Sequence, residues 1–156
     1  IEVIDLQEVI KETLSLSKSR IDFEKVNIEW HPEDKEIMVM GGHVRLQQVV
    51  INLLTNAIDS MQNKKNKKIF IKILESGSDV IMSVRDTGDG LSDPERVFEP
   101  FYSTKEVGAS KGMGLGLSIS YGIVGSFGGE MSCSNHKSGG AEFSIKLRVA
   151  NGKMLS

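Results

Sequence analysis

Residues 43–63 constrain the folding of this chain more strongly than any other segment. The segment contains neither Gly nor Pro and is long enough to form a helix on its own. At about 100° per residue, its polar side chains fall on one narrow stripe and apolar side chains cover most of the remaining circumference. The stripe consists of Arg45, Gln48, Asn52, Asn56, Asp59 and Asn63. Because a surface helix shows the opposite balance, the pattern predicts a mostly buried helix with one line facing something polar.

This polar stripe leaves several interpretations open. An unpaired buried amide costs roughly 1–3 kcal/mol, so Asn52 and Asn56 each need a partner. Other core groups, bulk water or a bound ligand would all meet that need. The helix by itself does not separate these alternatives.

Composition limits the classes of function. A net charge of −2 over 156 residues offers no electrostatic case for nucleic acid or an anionic membrane surface. With 39% hydrophobic residues, the chain suits one globular domain, which we assign to residues 1–150, with residues 151–156 as a C-terminal tail. The single Cys133 excludes an intrachain disulfide and fits a cytoplasmic domain.

Membrane attachment is not expected within this domain. No apolar run reaches the length of a membrane span, so we expect no direct membrane contact here. Because the chain begins with Ile1 rather than Met, we expect it to be a piece of a longer protein. An anchor of that parent protein in the cell membrane is compatible with the sequence.

The rest of the chain alternates short helices and strands. A helix is predicted at residues 4–17 with Asp5 as its N-cap, and another follows a glycine-rich segment and runs to about Ser126. Together with the central helix this makes three helices. Six strand-like segments are predicted at residues 26–30, 36–40, 69–75, 80–85, 130–135 and 141–149.

Two glycine motifs and the loop between them are candidate ligand contacts. Asp86-Thr87-Gly88-Asp89-Gly90 places a carboxylate at a strand end beside backbone that can be approached closely. Residues 112–116 place glycines at a helix N-terminus, where free N–H groups suit phosphate. Their spacing matches neither the P-loop nor the dinucleotide fingerprint. Residues 103–111 form a polar segment behind an apolar anchor and predict a mobile lid. Taken singly, each could be an ordinary turn or connection.

The order of these motifs resembles the catalytic ATP-binding domain of two-component sensor histidine kinases. That family is part of the Bergerat-fold superfamily, which includes gyrase and MutL. The resemblance covers about residues 5–147. Asp59 follows Asn56 at a spacing similar to that found in the nitrogen-regulator subgroup of these kinases. It rests on Asn52-x-x-x-Asn56, Asp86-x-Gly88-x-Gly90, Phe98-Glu99-Pro100-Phe101 and Gly112-x-Gly114-x-Gly116. The implied fold is a two-layer α/β sandwich, with a mixed five-stranded sheet packed on three helices and an ATP lid.

The resemblance also implies roles for individual residues. Asn56 is expected to bind Mg²⁺ through its amide oxygen, with Asn52 beside it near the phosphates of ATP. Asp86 is expected to accept a hydrogen bond from the exocyclic amine of adenine. Lys105 in the lid, and less firmly Lys111, is expected to face phosphate charge, so Asn52, Asn56 and Lys105 form the catalytic set. The further expected nucleotide contacts are Asp59, Gly88, Gly90, Phe98, Gly112, Gly114, Leu115, Gly116, Leu117 and Ser118. Two departures from the family pattern are Thr87, where Asn is common, and Ala141, where Thr is usual.

The side chain at position 52 bears on which chemistry follows binding. Hydrolysing members of the superfamily carry a glutamate there that activates water, whereas the amide of Asn52 cannot take a proton. The resemblance therefore implies a protein-histidine kinase that donates the γ-phosphoryl group of ATP to a histidine. That histidine is expected on a dimerisation hairpin upstream, and a response regulator is expected to act through the full-length kinase. His31, His43 and His136 do not match the phosphoacceptor pattern, so the isolated fragment is expected to be inactive. The alternatives are an ATP-hydrolysing conformational clamp and a non-catalytic nucleotide-binding module.

Overall fold

The computed structural model describes residues 1–100, 102 and 116–150. In these ranges the strands are β1 (Glu2–Asp5), β2 (Val26–Glu29), β3 (Met38–Gly41), β4 (Lys67–Ser76), β5 (Asp79–Asp86), β6 (Glu130–Asn135) and β7 (Ala141–Arg148). The helices are α1 (Leu6–Leu16), α2 (Lys18–Phe23), α3 (His43–Ser60) and α4 (Gly116–Ser126), and a 3-10 turn covers Pro94–Arg96. The six predicted strands and three predicted helices are all present; β6 has the predicted ends and α4 ends at Ser126 as predicted, whereas the others are shifted at one or both ends.

Five strands form one mixed sheet in the order β2-β4-β5-β7-β6. Strand β2 pairs parallel with β4, and the other neighbours in this sheet pair antiparallel. The remaining strands, β1 and β3, form a separate antiparallel ribbon. The mixed five-stranded sheet and its helical layer confirm the predicted sandwich.

Strand β5 shows how alternation places a carboxylate inside the protein. Every second residue of this strand is buried, beginning with Val80, Met82 and Val84. Because side chains of a strand alternate between faces, the next member of this series is Asp86. Its side chain is therefore turned towards the helical layer, and only 1% of the residue is exposed.

Helix α3 is the buried centre of the helical layer, as its sequence predicts. It packs against α1, α4 and β5. Its buried apolar side chains are Leu46, Val49, Val50, Leu53, Leu54, Ala57 and Ile58. Along the polar stripe Arg45 and Gln48 are exposed, while Asn52 and Asn56 are half-buried. The helix ends at Ser60, three residues earlier than predicted.

Two short elements are absent from the sequence-based prediction. Strand β1 takes up residues 2–5, so α1 starts at Leu6 rather than at residue 4. Asp5 still caps α1, because its Oδ1 accepts from the N–H of Gln7 at 3.0 Å. The second element, α2, is six residues long. No helix within the described ranges has both the length and the apolar character needed to cross a membrane.

Candidate nucleotide site

Helix α3 connects the two ends of the candidate site. Asn52 contacts the first turn of α4, and Ser60 lies against the turn that follows β5. Eight residues separate them, which is about 12 Å along a helix at 1.5 Å per residue. A single rigid element therefore holds the polar groups of both ends at a constant separation.

Asn52 is bonded to α4 through its amide nitrogen. Its Nδ2 donates to the carbonyl oxygen of Gly116 at 3.1 Å and to Oγ of Ser120 at 2.9 Å. A backbone carbonyl can only accept, so the partner at Gly116 fixes which side of the amide carries the hydrogens. The amide oxygen of Asn52 remains as an acceptor, and this side chain has no basic atom with which to activate water.

Asn56 and Asp59 continue the same face of α3 but differ in their surroundings. The half-buried amide of Asn56 makes no hydrogen bond to any other residue in the ranges that the structure describes. Asp59 is buried, and its Oδ1 lies 2.6 Å from Nη2 of Arg20 in α2. This carboxylate thus has a structural partner, which the sequence-based prediction of a nucleotide contact did not include.

Asp86 lies at the other end of the site with one carboxylate oxygen held by backbone donors. Its Oδ1 accepts from the N–H of Gly88 at 2.8 Å and from the N–H of Ala141 at 3.3 Å. The pKa of Asp86 lies above its ordinary value, chiefly because burial desolvates the carboxylate. These two bonds, the Ser60 side chain and the charge of Arg85 act in the opposite direction and lower the pKa. The arrangement provides a buried acceptor suited to an amine of a ligand.

Glycines allow three backbone segments to meet beside Asp86. A Cβ on Gly88 would lie 2.6 Å from the carbonyl oxygen of Ser60, and one on Gly140 would collide with the backbone of Asp86. Gly140 also has a φ of +84°, in the left-handed region that favours glycine. At Gly90, with a φ of +88°, a Cβ would approach Oδ1 of Asn135 to 2.7 Å. Close packing therefore favours glycine at Gly88 and Gly90, the two glycines of the Asp86-x-Gly88-x-Gly90 motif.

Asn135 and Met61 secure the loop after β5. The side chain of Asn135 accepts from the N–H of Leu91 at 2.6 Å and donates to its carbonyl oxygen at 3.0 Å. The sulfur of Met61 accepts from the N–H of Thr87 at 3.4 Å and from its hydroxyl at 3.3 Å. Thr87, one of the departures from the family pattern, thus binds this loop to the end of α3.

Phe98 connects the segment before the predicted lid to the core. Its ring centroid lies 4.9 Å from that of Tyr121 in α4 and 6.1 Å from that of Phe143 in β7. This contact agrees with an anchoring role at the start of the lid. Leu117 is half-buried and packs against the core from the first turn of α4, where Gly116 and Ser118 also lie.

Several predicted site residues lie outside the described ranges. They are Phe101, Lys105, Lys111, Gly112, Gly114 and Leu115.

The structure adds three residues that the sequence analysis did not select. They are Arg20 beside Asp59, Ser60 beside Asp86 and Ser120 beside Asn52. Ser60 stands one turn after Asn56 and could have been found from helical spacing alone. Arg20 and Ser120 are 39 and 68 residues from their partners, so no local pattern pointed to them.

Comparison with known proteins identifies the family. Residues 41–151 match the family described as "Histidine kinase-, DNA gyrase B-, and HSP90-like ATPase". The chain belongs to this family. The matched span includes α3, the Asp86 turn and α4, so the ATP-binding character predicted from the motifs is confirmed. The nitrogen-regulator subgroup stays a prediction.

Individual relatives of this ATP-binding domain include a sensor protein and a kinase. The chain is 33% identical over 149 residues to the C4-dicarboxylate transport sensor protein DctB of Pseudomonas aeruginosa, covering 94% of this chain and 24% of DctB. It is 32% identical over 148 residues to sporulation kinase B of Bacillus subtilis, covering 94% of this chain and 33% of that kinase. The chain thus spans a quarter to a third of the length of these relatives.

Solved structures agree with the fold. The catalytic domain of histidine kinase ThkA, in a nucleotide-free form, is 28% identical with a TM-score of 0.81, covering 94% of each chain. ThkA is also known in complex with the response regulator protein TrrA. That kinase chain is 26% identical with a TM-score of 0.79, covering 96% of this chain and 42% of ThkA.

Proposed function

We propose that this domain binds Mg·ATP and donates the γ-phosphoryl group to a histidine on another domain of its parent kinase. The observation that carries the proposal is the side chain of Asn52. Its amide nitrogen is bonded to α4 at Gly116 and Ser120, and an amide offers no base for attack by water. A site that binds ATP without such a base suits a kinase, which holds the nucleotide until a nucleophile arrives.

Adenine is expected to bind at Asp86. The buried carboxylate has Oδ1 occupied by backbone N–H groups and can accept from the exocyclic amine of the base. A guanine carbonyl in that place would set two acceptors against each other and leave the carboxylate without a donor. This asymmetry would give the preference for adenine.

Magnesium fits the residues at the phosphate end. Mg²⁺ prefers hard oxygen ligands and is usually held by one or two protein groups together with substrate phosphates. The amide of Asn56 is half-buried and makes no hydrogen bond within the described ranges, so its oxygen is available. Those ranges contain no group of three or more His, Cys, Asp and Glu residues that could hold a metal alone. Asn56 would therefore hold the ion jointly with the triphosphate, where its charge would offset that of the phosphates.

The partners of the domain follow from this function. An upstream dimerisation hairpin would present the phosphoaccepting histidine, and a response regulator would receive the group through the full-length kinase. The complex of ThkA with TrrA supports the second partner. A cytoplasmic position of the domain is part of the same proposal, and it is compatible with an anchor of the parent protein in the cell membrane.

A phosphotransfer experiment tests the proposal. The domain is joined to its native upstream hairpin, and labelled phosphate is followed from ATP onto the protein. An acid-labile, base-stable adduct is expected, together with negligible phosphate release from the domain alone. Asp86→Asn serves as the binding-deficient control. Steady phosphate release from the domain alone would instead indicate the hydrolysing clamp, and ADP binding with neither phosphate release nor phosphotransfer would indicate a non-catalytic nucleotide-binding module.

A further inference from the structure

Ser60, the last residue of α3, lies against the turn that carries Asp86. A Cβ built on Gly88 would be 2.9 Å from Oγ of Ser60 and 3.1 Å from Oδ1 of Asp86. The hydroxyl and the carboxylate therefore border the same small space beside the Gly88 backbone. Because Gly88 has no side chain, nothing from that residue separates them.

The hydroxyl of Ser60 has one proton and two acceptors within reach. It donates to the carbonyl oxygen of Ala57 at 2.9 Å, the usual back-bond of a helical serine. The second acceptor is the Asp86 carboxyl group, whose pKa is lowered by hydrogen bonding from the Ser60 side chain. Hydrogen bonds to charged acceptors are roughly twice as strong as neutral ones. In the structure the hydroxyl is bonded to the Ala57 carbonyl, and an ionised Asp86 would be the stronger of the two acceptors.

We propose that Ser60 is a positioning residue of the adenine site, whose hydroxyl donates to the Asp86 carboxylate and keeps it an ionised acceptor for the exocyclic amine. This inference rests on the proposed function, because it takes Asp86 as the group that reads adenine. Strand β7 offers Asp86 only a backbone N–H, since Ala141 has no hydroxyl. The side-chain donor comes from α3 instead.

The electrostatic surroundings of Asp86 show why one donor matters. Burial raises the pKa of Asp86, so the ionised form depends on its donors at Gly88, Ala141 and Ser60 and on the charge of Arg85. On α3 and in the turn after β5, Asp59 is paired with Arg20 and Asp89 with Lys64. Strand β4 carries Lys67, which is paired with Glu24, and Lys68, and the start of β7 and the turn before it carry Glu142, His136 and Lys137. Asp59 and Asp89 thus have cations of their own.

The test uses three variants of the domain. Ser60→Ala removes the hydroxyl and Ser60→Thr keeps it. Ser126→Ala is the matched control, because Ser126 ends α4 as Ser60 ends α3 and donates to the carbonyl of Ile123 at 2.6 Å. Both Ser60→Ala and Ser126→Ala remove a hydrogen bond from a serine to a backbone carbonyl at the end of its helix. Only Ser60→Ala also removes a possible donor to Asp86. Thermal unfolding of each variant confirms that it is folded.

Two measurements are made on each folded variant. The pKa of Asp86 is read from its carboxyl carbon by NMR without nucleotide. ADP binding is measured by calorimetry from about pH 4.5 to about pH 8, which starts above the ordinary aspartate pKa of about 3.9. For Ser60→Ala we expect a higher pKa of Asp86. We also expect roughly three- to tenfold weaker ADP binding at the acidic end, the loss of about one hydrogen bond. The loss should shrink as the pH rises, and Ser60→Thr should behave like the original protein.

Each outcome separates this inference from the proposed function. An unchanged pKa of Asp86 in Ser60→Ala, or an equal loss of ADP affinity at every pH, would overturn the role of Ser60. If the pKa rises as expected but the original protein binds no ADP, the coupling of Ser60 to Asp86 is supported and the proposed function is wrong.

Discussion

The amide of Asn52 and the hydroxyl of Ser120 are hydrogen-bonded at 2.9 Å, and this bond joins α3 to α4. The same amide donates to the carbonyl oxygen of Gly116, one helical turn before Ser120. Both acceptors lie on one face of α4, so Asn52 can use both of its hydrogens only while the first turn of α4 is helical. The residue predicted to lie near phosphate therefore also fixes the N-terminal end of α4.

Ser120→Ala should weaken this connection. Ser120 is fully buried, and its loss leaves one hydrogen of Asn52 without its acceptor. We expect the free energy of unfolding to fall by about 1–2 kcal/mol, with weaker ADP binding, as measured by urea unfolding and calorimetry. Ser132→Ala, at an exposed position of β6, is the control and should change neither quantity. Equal behaviour of the two variants would show that the bond to Asn52 contributes nothing.

Arg20→Ala should destabilise the domain because it removes the cation beside the buried carboxylate of Asp59. The cost of breaking a half-buried ion pair lies between the costs for an exposed pair and for a buried pair. We therefore expect a loss of about 1–2 kcal/mol in the free energy of unfolding. Lys18→Ala breaks the pair with Asp22, which also has a distance of 2.6 Å but is exposed on both sides. That control should change stability by less than about 0.5 kcal/mol. Similar losses from both variants would contradict the importance of burial.

Gly88→Ala and Gly122→Ala should have opposite effects. The added Cβ at Gly88 would lie 2.6 Å from the carbonyl oxygen of Ser60, so the turn after β5 must shift and ADP binding should be lost. At Gly122, inside α4, the Cβ would meet nothing within 4 Å. Alanine favours a helix over glycine by about 1 kcal/mol, so Gly122→Ala should raise the melting temperature. Normal ADP binding by Gly88→Ala would show that the turn is not closely packed.

Asp86→Asn should change how stability depends on pH. Burial raises the folded-state pKa of Asp86, so the folded protein retains this proton at a pH where the unfolded chain has released it. The contribution of Asp86 to stability is therefore present below the unfolded pKa, about 3.9, and is lost as pH rises through the folded pKa.

Asp86→Asn has no such proton, so its stability relative to the original protein should improve as the pH rises through this window. Urea unfolding at a series of pH values measures the difference, with Asp93→Asn as the control for a carboxyl in a loop. A difference that is constant with pH would contradict the raised pKa. Calorimetry should show at the same time that Asp86→Asn has lost ADP binding.

Local patterns were sufficient for the elements that contain the site. The 3.6-residue period of α3 requires burial of its apolar side chains and leaves Asn52 and Asn56 on a polar line. The two-residue period of β5 puts Asp86 on the same face as Val84. These are properties of neighbouring residues, so they can be read without a fold.

Short elements escaped prediction because their stability is not local. Strand β1 has four residues and pairs Glu2 with Gly41, and α2 has six residues with Arg20 reaching Asp59. Neither has enough internal hydrogen bonds to form alone. Their partners lie about 40 residues away in the chain, and only the folded arrangement brings them together.

The sequence by itself determined the order of the motifs, the family and the residue types available for binding ATP. Only the tertiary structure decided which of those residues have structural partners: Asn52 bonds to α4, Asp59 pairs with Arg20, and Asp86 is held by Gly88 and Ala141. The reason is that hydrogen bonds and ion pairs depend on distance in space, which the separation of residues along the chain does not specify.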